Sequence, residues 1–313
     1  MSFDTRIHVS LAHLRNFQGA AQGLSFLPRQ PSASVLNGRH TSRLRGRGLN
    51  FEEMRDYLPG DDIRSIDWKA TARTGSPHVR VFTEERDRPA LLVVDQRMSM
   101  FFGSELNMKS VTAAEAAAIA AFRILDAGDR VGGIVFNDEE RFELTPRRSQ
   151  RTVFALLESI SEMNAKLDAD KVVAPASGGL NKVLSSVARI AHHDHLVIVL
   201  SDFDGVDAMT HRRLSSIAAH NDLLLILVQD PMGERIETGE RAIIGDGHMQ
   251  AEIDFGSAAI RAAVEEYSKR RLQQIYRWQT EINLSVMPLS AGEETLPQIR
   301  RLMGQLAPQR RVR

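Results

Sequence analysis

The sequence predicts an α/β fold of the doubly wound kind, with a mostly parallel sheet and a smaller β-rich appendage at the N-terminus. From Pro89 onward, short unbroken apolar runs alternate with stretches in which apolar residues recur at helical spacing. Unbroken apolar runs are typical of parallel strands covered on both faces, and their alternation with helices favours the doubly wound arrangement. Residues 1–88 lack this alternation and are rich in arginine and acidic residues.

The predicted elements after Pro89 follow from these patterns. The strands are the apolar runs Ala90–Val94, Val131–Phe136, His195–Leu200, Leu223–Val228 and Leu284–Met287. The helices are the periodic stretches Met108–Ala127, Ser149–Met163, Leu180–His192, Ala208–Ala219, Ser257–Glu281 and Thr295–Leu306. Right-handed crossovers place such helices on both faces of the sheet. Glycines between short apolar pieces predict a small hairpin within Pro231–Asp254.

The chain is divided into three parts by these patterns. Residues 1–88 combine an amphipathic helix near Ile7–Ala21 with an arginine-rich β appendage, which has a strand-like piece at Val79–Thr83. Residues 89–306 form the α/β domain. Residues 307–313 are a basic tail.

Composition excludes several classes of function. The chain has no cysteine, so disulfides, thiol catalysis and thiolate metal sites are excluded. A formal net charge of +0 argues against a general nucleic-acid binder. The longest apolar runs are far shorter than the ~20 residues that span a bilayer, and no signal-peptide core is present near the N-terminus. We therefore expect a cytoplasmic protein that binds no nucleic acid and inserts into no membrane.

Two predicted strands end in an aspartate beside hydroxyl residues. The first runs into Asp95, which is followed by Arg97 and Ser99, and the other runs into Ser201 and Asp202. Parallel strands deliver their carboxyl ends to the ligand crevice of an open sheet, so these residues are expected to converge. The pattern resembles the metal-ion-dependent adhesion site of a von Willebrand factor A domain.

A second motif lies before the predicted sheet. Residues 48–73 read GLNFEEMRDYLPGDDIRSIDWKATAR. This block resembles the signature of the domain of unknown function 58 family, and the resemblance continues through the strand ending at Asp95, through 128–132 and through 201–203. It implies an α/β domain of von Willebrand factor A type. It also implies as partners a MoxR-type AAA+ ATPase and other von Willebrand factor A-like proteins.

Opposite charges alternate within this block. They predict a network of ion pairs that fixes a loop, with Trp68 as a buried anchor. The charged residues concerned are Arg55, Asp61, Asp62, Arg64, Asp67 and Arg73. Two roles stay open for this set, a structural clasp and a docking surface for a partner, and none of its members is assigned to catalysis.

The expected adhesion site is degenerate. A complete site offers Asp-x-Ser-x-Ser on one loop, a threonine on a second loop and an aspartate on a later strand, an oxygen set that suits Mg²⁺. Asp95, Ser99 and Asp202 match this pattern. Arg97 replaces the middle hydroxyl, and Leu180 stands where the pattern has threonine.

Three interpretations of this site stay open. In the first, Arg97 takes the place of the metal, either bridging Asp95 and Asp202 or reaching a partner's acidic group, because a guanidinium repels Mg²⁺ and pairs with carboxylates. No cofactor is then expected. In the second, Asp95, Ser99 and Asp202 bind magnesium. In the third, the aspartates only accept hydrogen bonds from backbone N–H groups at helix starts.

The preferred function is a non-enzymatic adaptor or chaperone-system component that binds its partner at the carboxyl end of the sheet. The alternative is a magnesium-dependent phosphohydrolase, because the strand before Asp202-x-Asp204-Gly resembles the nucleophile motif of haloacid-dehalogenase-type phosphatases. Asp202 would attack phosphorus and Asp204 would act as acid and base. The sequence Ile244-Gly245-Asp246-Gly247 resembles the second, metal-binding motif of these phosphatases. That scheme also needs a lysine between the two motifs, and none occurs between Lys182 and Lys269.

Overall fold

The computed structural model describes residues 4–20, 49–58, 61, 63–84, 89–169, 179–233, 241–245, 250–254, 258–282 and 284–306. Its strands, in chain order, are β1 Leu49–Asp56, β2 His78–Glu84, β3 Ala90–Asp95, β4 Val131–Phe136, β5 Arg141–Arg147, β6 Leu196–Ser201, β7 Asp222–Gln229, β8 Arg241–Gly245, β9 Gln250–Asp254 and β10 Ser285–Ser290. Its helices are α1 Leu11–Arg15, α2 Phe17–Ala20, α3 Trp68–Thr74, α4 Lys109–Asp126, α5 Gln150–Ala165, α6 Gly179–Ile190, α7 Ala208–Ala218, α8 Ala258–Glu281 and α9 Thr295–Leu306.

The chain forms two compact units. The larger unit contains Met1–Pro28 and Arg88–Arg313, and the smaller unit contains Arg29–Asp87. The larger unit is therefore built from two separate stretches of sequence. This division differs from the predicted boundary at residue 88, because the N-terminal helices belong to the larger unit. The predicted basic tail at 307–313 lies outside the described residues.

A six-stranded sheet forms the centre of the larger unit. Its strand order is β10-β7-β6-β3-β4-β5. Neighbouring strands are parallel except β4 and β5, which are antiparallel. The predicted α/β class and mostly parallel sheet are confirmed, and the arrangement is compatible with a doubly wound fold. All five predicted strands are present. The edge strand β5 was not predicted, because its exposed and charged sequence RFELTPR lacks a buried run.

Helices cover both faces of this sheet. Strand β3 shows how the faces alternate: Leu92 and Val94 pack on one side, and Leu91 and Val93 on the other. The first core receives buried residues from α1, α4, α5 and α9. The second receives them from α6, α7 and α8. Burial on both faces explains why the parallel strands are apolar without interruption.

The N-terminal segment packs on α4 and α5. Val9 and Leu14 are 4% and 0% exposed within the first core. The Val9 N–H donates to Asn164 Oδ1 at 2.8 Å, and His13 Nε2 lies 2.7 Å from Glu115 Oε1. This packing explains why the segment joins the larger unit rather than the appendage, which the sequence analysis had predicted.

Two glycines at the start of β4 permit close packing on both sides. A Cβ at Gly132 would lie 2.4 Å from the Leu144 carbonyl oxygen, where the pairing of β4 with β5 shifts register. A Cβ at Gly133 would lie 2.8 Å from the Leu92 carbonyl oxygen and 2.6 Å from Leu156 Cδ1. These contacts account for the glycine pair by backbone proximity.

The smaller unit contains an antiparallel pair, β1 and β2, together with α3. The predicted strand at Val79–Thr83 is thus confirmed as β2. In the larger unit, β8 and β9 pair antiparallel and form the hairpin predicted within Pro231–Asp254. Among the helices in the described part of the chain, none is both long and apolar enough to cross a membrane.

Candidate functional site

The candidate site lies at the carboxyl ends of β3 and β6. These two strands are neighbours, and the strand order reverses between them, since β4 follows β3 on one side while β6 and β7 extend the other. Ligand crevices of open α/β sheets form at such reversal points. Asp95 is the last residue of β3, and Asp202 follows the last residue of β6. The structure therefore brings the two predicted aspartates to the same edge of the sheet.

Asp95 is fully buried and pairs with the guanidinium of Arg97. Arg97 Nε lies 3.0 Å from Asp95 Oδ1, and Arg97 Nη2 lies 2.8 Å from Asp95 Oδ2. The Arg97 backbone N–H also donates to Asp95 Oδ1 at 3.0 Å, and the Ser201 hydroxyl donates to Oδ2 at 2.6 Å. Such two-pronged arginine–carboxylate pairs fix both partners in one geometry.

Asp202 is also buried, and a lysine holds it. Lys109 is the first residue of α4, and its Nζ lies 2.6 Å from Asp202 Oδ2. The two side chains are 10% and 1% exposed. The other oxygen, Oδ1, accepts the Asp204 backbone N–H at 3.0 Å and the Ser99 hydroxyl at 3.5 Å. Ser99 is thus at the outer limit of hydrogen bonding.

The guanidinium of Arg97, which pairs with Asp95, also lies near Asp202. Its Nη2 lies 4.0 Å from Asp202 Oδ1, which is a weak ion pair beside the direct pair with Asp95. Two aspartates thus face two cations, and the four formal charges sum to zero. A divalent metal between two carboxylates would give the same balance. Arg97 and Lys109 therefore balance the charges of the two buried carboxylates.

The electrostatics of the site keep the carboxylate of Asp202 and the guanidinium of Arg97 charged. Burial by itself would raise the pKa of Asp202, but Lys109, Arg97 and Arg271 outweigh burial and hold that pKa well below its usual range. Burial would lower the pKa of Arg97, but Asp95 and Asp202 raise it above its ordinary value. Mutual stabilisation of this kind is expected when buried charges are paired.

The turn that presents Asp202 is conformationally strained. Phe203 has φ of +54°, although it is neither glycine nor asparagine. Its side chain is 0% exposed within the second core, which holds the turn in this conformation. The Phe203 N–H donates to the Ser201 hydroxyl at 2.9 Å. A left-handed aromatic residue costs about 1–3 kcal/mol, and such residues concentrate at functional sites.

Helix α8 contacts the same turn through Asp204. The Tyr267 hydroxyl donates to Asp204 Oδ1 at 3.0 Å, and Arg271 Nη1 lies 3.3 Å from the same oxygen. The carbonyl oxygen of Asp204 lies 3.3 Å from Arg97 Nη2. Burial, together with the Asp204 carboxylate, raises the pKa of Tyr267. Asp204 therefore connects the Arg97 pair to α8.

Asp138, in the turn between β4 and β5, also interacts electrostatically with Arg97. Its Oδ2 accepts the Met98 N–H at 2.7 Å. Burial raises the pKa of Asp138, and the Met98 N–H and Arg97 offset part of that increase. Leu180, which replaces the expected threonine, is 5% exposed and packs in the second core.

The motif block of the smaller unit is partly an ion-pair clasp. Arg55 Nη1 and Nη2 each lie 2.8 Å from an oxygen of Asp61, which also accepts the Leu58 N–H at 2.9 Å. Asp67 caps α3 by accepting the N–H groups of Lys69 and Ala70. The prediction that Trp68 is a buried anchor is wrong, since this side chain is 65% exposed.

The remaining charged residues of the block are Arg64, Arg73 and Asp62. Arg64 and Arg73 are exposed, and Asp62 lies outside the described residues. Trp68 is the first residue of α3 and is exposed, whereas Ala70 and Val79 in the same unit are buried.

Comparison with known proteins identifies the family. Residues 53–274 match the family described as "Protein of unknown function DUF58". The chain belongs to this family. Similar proteins include uncharacterized protein Mb1516 from Mycobacterium bovis and uncharacterized protein Rv1480 from Mycobacterium tuberculosis, each 32% identical to this chain over 213 residues. The matching region covers 68% of this chain and 65% of each relative, which is just under two thirds of their length.

The DUF58 match spans both the motif block and the strand-end site, since it extends from the smaller unit through β3, β6 and into α8. A metal fits poorly among the residues of that site. Asp95, Ser99 and Asp202 are the expected ligands, but the aspartate oxygens already accept from Arg97, Lys109 and neighbouring donors. Within the described residues, no group of three or more acidic, histidine or cysteine side chains is arranged to hold a metal ion.

The sequence analysis missed the partner of Asp202 in this DUF58 protein. Lys109 begins an alanine-rich helix and lies 93 positions from Asp202 in the chain. A lysine at a helix start is ordinarily solvated, so only the tertiary packing of α4 against β3 and β6 reveals its role. Asp138 and the contacts of α8 were missed for the same reason, because each depends on long-range packing.

Proposed function

We propose that the larger unit is a von Willebrand factor A-like interaction module in which Arg97 and Lys109 replace the metal of the adhesion site. The protein is then a non-enzymatic adaptor that binds a partner at the carboxyl end of the sheet. The observation that carries this proposal is the pairing of each buried aspartate with a buried cation. A site charge-balanced by its own side chains needs no ion to hold its loops.

The topology supports the von Willebrand factor A type. Numbered within the sheet alone, the strands run in the order 3-2-1-4-5-6, with the aspartates at the reversal point between the first and fourth strands. An interaction site is expected there. The rim of that edge also exposes an apolar side chain, Met209, which is 43% exposed near the start of α7.

The proposed partner is a MoxR-type AAA+ ATPase, on the basis of family resemblance. A direct test measures binding of the purified protein to a purified MoxR-type ATPase encoded in the same genome, by biolayer interferometry in Mg²⁺ and in EDTA. We expect binding in both conditions. Sedimentation of the ATPase alone in each buffer establishes whether its own assembly survives removal of magnesium.

Matched variants locate the contact. Met209→Glu places a charge on the carboxyl rim and is expected to weaken binding about tenfold or more, as at an interface hot spot. His193→Glu changes an exposed residue that precedes β6, at the opposite end of that strand, and should leave binding unchanged. Loss of binding in EDTA while the ATPase stays assembled would contradict a metal-free site, and no binding in any condition would contradict the partner.

The phosphohydrolase alternative gains little from the geometry. The lysine that its sequence motif lacked is present in space as Lys109, but this lysine pairs with Asp202. A nucleophilic carboxylate has to reach phosphorus, and Asp202 is 1% exposed. Asp204, the proposed acid and base, already accepts from Tyr267 and Arg271. Hydrolysis of a generic phosphate ester with Mg²⁺, abolished by Asp202→Asn, would restore this alternative.

A further inference from the structure

Arg97 is enclosed, although its long charged side chain lies at the edge of the sheet. This side chain is 12% exposed. The centre of the Phe136 ring lies 5.8 Å from its Cζ, and a Cβ at Gly179 would lie 3.5 Å from its Cδ. A third neighbour is the carbonyl oxygen of Asp204. Phe136 ends β4 and Gly179 begins α6, whereas Asp204 lies in a turn outside the helices and strands.

The Asp204 turn, which we define as residues 203–205, covers the guanidinium of Arg97 without joining its ion pair. The pair with Asp95 uses Nε and Nη2 of Arg97 at distances between 2.8 and 3.1 Å. The Asp204 carbonyl oxygen lies 3.3 Å from Nη2 and 3.4 Å from Nη1, near the outer limit of hydrogen bonding. Displacement of the turn would therefore uncover Arg97 and leave its pair with Asp95 in place.

Two of the three residues of the Asp204 turn have a left-handed backbone. Phe203 has φ of +54° and Gly205 has φ of +72°. The buried ring of Phe203 fixes the base of the turn in the second core. Glycine adopts positive and negative φ about equally readily, so the backbone at Gly205 can rotate with little strain. Gly205 therefore provides a hinge for Asp204.

Helix α8 restrains the turn through the Asp204 carboxylate. The Tyr267 hydroxyl and Arg271 Nη1 contact Oδ1 of this carboxylate at 3.0 Å and 3.3 Å. Tyr267 and Arg271 are four positions apart and so lie on one face of α8. The side chain of Asp204 is 40% exposed, and Tyr267 is 58% exposed. Exposed polar contacts contribute little net free energy, so a partner can replace them.

We propose that the Asp204 turn is a closure over Arg97, and that α8 keeps it shut through Tyr267 and Arg271. This inference rests on the proposed function, because it names how binding at the strand-end site is controlled. A partner that contacts the exposed Tyr267 competes with Asp204 for the Tyr267 hydroxyl and the Arg271 guanidinium. The released turn swings away at Gly205 and presents Arg97 to the partner. Tyrosine and arginine are both enriched among the residues that dominate binding energy.

Hydrogen exchange tests whether α8 holds the turn shut. The Asp204 N–H donates to Asp202 Oδ1 at 3.0 Å, so its exchange with deuterium, followed by NMR in the full-length protein, reports opening of the turn. Tyr267→Phe/Arg271→Met, which we call the restraint variant, removes both contacts and keeps most of the side-chain volume. We expect this N–H to exchange about tenfold faster in the restraint variant, with unchanged rates in the centre of β6. An unchanged rate at Asp204, or an equal rise throughout β6, would overturn the proposal.

Two further variants test the same closure. Tyr276→Phe/Arg277→Met makes the same exchanges at exposed positions farther along α8 and should leave the Asp204 N–H unaffected. Gly205→Ala disfavours the left-handed backbone, and within the described part of the chain its Cβ would meet no atom within 4 Å outside the neighbouring residues. It should therefore accelerate the exchange. No acceleration in Gly205→Ala, or a response of the control as large as that of the restraint variant, would contradict this mechanism of closure.

Chemical modification tests whether the turn covers Arg97. Phenylglyoxal, which reacts with guanidinium groups, is added to the intact protein, and modification of Arg97 is measured by mass spectrometry. Arg97 keeps its pair with Asp95 in the unaltered protein and in the restraint variant, so the ratio of the two rates reports the cover. We expect Arg97 to react several-fold faster in the restraint variant, and the exposed Arg189 to react equally in both. Faster exchange at Asp204 without faster modification of Arg97 would overturn the proposal.

Binding to the MoxR-type ATPase separates the closure from the proposed function. Gly205→Ala opens the turn and leaves Tyr267 and Arg271 available to the partner. It should therefore bind the ATPase several-fold more tightly than the unaltered protein, because less binding energy is spent on opening. Unchanged or weaker affinity would reject the closure as a control on binding. If no protein binds the ATPase, the partner of the proposed function is wrong, and the exchange and modification rates still decide whether the closure exists.

Discussion

At the scale of single residues, the site depends on charges that cannot be removed one at a time. Arg97 and Lys109 are each about nine-tenths buried, and each serves a carboxylate that is almost wholly buried. A buried ion pair adds little to stability compared with an apolar pair, but losing one partner leaves an uncompensated charge in the interior. Each of these four side chains therefore depends on its partner.

Truncation of Arg97 tests this dependence. Arg97→Ala leaves Asp95 without its cation, so the free energy of unfolding should fall by about 3–5 kcal/mol. Urea denaturation followed by circular dichroism measures this change. Arg189→Ala is the control, because Arg189 is 63% exposed in its pair with Glu143 and an exposed pair contributes under about 1 kcal/mol. Equal effects of the two substitutions would contradict the role given to Arg97.

Exchange of the cations for a metal tests charge replacement. The variant Arg97→Ser/Lys109→Ala removes both cations and restores the middle hydroxyl of the adhesion pattern. Two neighbouring carboxylates then repel each other, and Mg²⁺ should relieve that repulsion. We expect millimolar Mg²⁺ to raise the Tm of the variant, because a ligand that binds only the folded state stabilises it. The Tm of the unaltered protein should not respond.

The control for the metal experiment adds Asp202→Asn to the same variant, which removes one carboxylate ligand. The Mg²⁺ response should then disappear. An equal rise in Tm for the unaltered protein would show that its site already binds magnesium and would reject the replacement of metal by Arg97 and Lys109.

Asp138 has a pH dependence opposite to that of Asp202, because the pKa of Asp138 is raised and that of Asp202 is lowered. Because its pKa is raised in the folded protein, the folded state binds the proton more tightly than the unfolded state, whose pKa is about 3.9. The contribution of Asp138 to stability therefore falls as pH rises through the raised value. Asp138→Asn, which can still accept the Met98 N–H, should increase the free energy of unfolding at pH 7.

Urea denaturation at pH 7 and near pH 4 checks the sign of the Asp138 effect. The gain from Asp138→Asn should shrink at the lower pH, where a larger fraction of the native side chain is protonated. Asp4 provides a control of opposite sign, because Arg6 lowers the pKa of Asp4 to about 2. Asp4→Asn should not increase stability at pH 7. A gain from Asp138→Asn that is equal at both pH values would contradict the raised pKa.

At the scale of elements, the buried parallel strands could be predicted from the sequence, but the exposed edge strand β5 could not. A strand buried on both faces has to be apolar throughout, so β3, β4, β6 and β7 are visible in the sequence. Strand β5 is exposed along most of its length and contains Pro146, so its sequence resembles a loop. Its place in the sheet follows from Gly132, which permits the close approach of its backbone.

The site was predictable to the same extent as the strands that carry it. Asp95, Arg97 and Asp202 follow buried strands, so topology alone brings them together. Lys109 and Tyr267 come from helices, whose rotation and position depend on packing throughout the domain. The Trp68 prediction failed because it assumed that a large aromatic residue is buried, whereas this side chain is exposed at the start of α3.

The N-terminal helix α1 should contribute to the stability of the larger unit although it is short. Leu14 is 0% exposed among residues of α4 and α5. Leu14→Ala is expected to reduce the free energy of unfolding by about 2–5 kcal/mol. Ile7→Ala is the control, since Ile7 is 38% exposed and should change stability by about 0.5 kcal/mol or less. Urea denaturation of both variants measures these changes in the free energy of unfolding. A negligible effect of Leu14→Ala would show that α1 is dispensable for stability.

At the scale of the whole molecule, the smaller unit is an insertion within the larger one. The chain builds α1 and α2 of the larger unit, forms the smaller unit and then returns to begin β3. Insertions of this kind are tolerated when each unit has its own core. The larger unit has two such cores, one on each face of its sheet.

Excision of the smaller unit tests its independence. Replacement of residues 29–87 by a flexible glycine–serine linker should leave the larger unit folded, with one cooperative transition in differential scanning calorimetry. The Arg97→Ala variant of the shortened protein should be destabilised as in the full chain. A shortened protein without a cooperative transition would show that the larger unit needs the smaller one to fold.

The pairing of Asp95 and Asp202 with side-chain cations has a consequence for control. A bound ion is exchangeable, so the occupancy of an ordinary adhesion site follows the ion concentration around it. A cation attached covalently to the chain has no such vacancy and cannot be diluted or chelated. Under the proposed function, the charge balance at that edge of the sheet therefore does not depend on the concentration of free metal ions. Removal of free metal ions is then not a signal that can switch this site off.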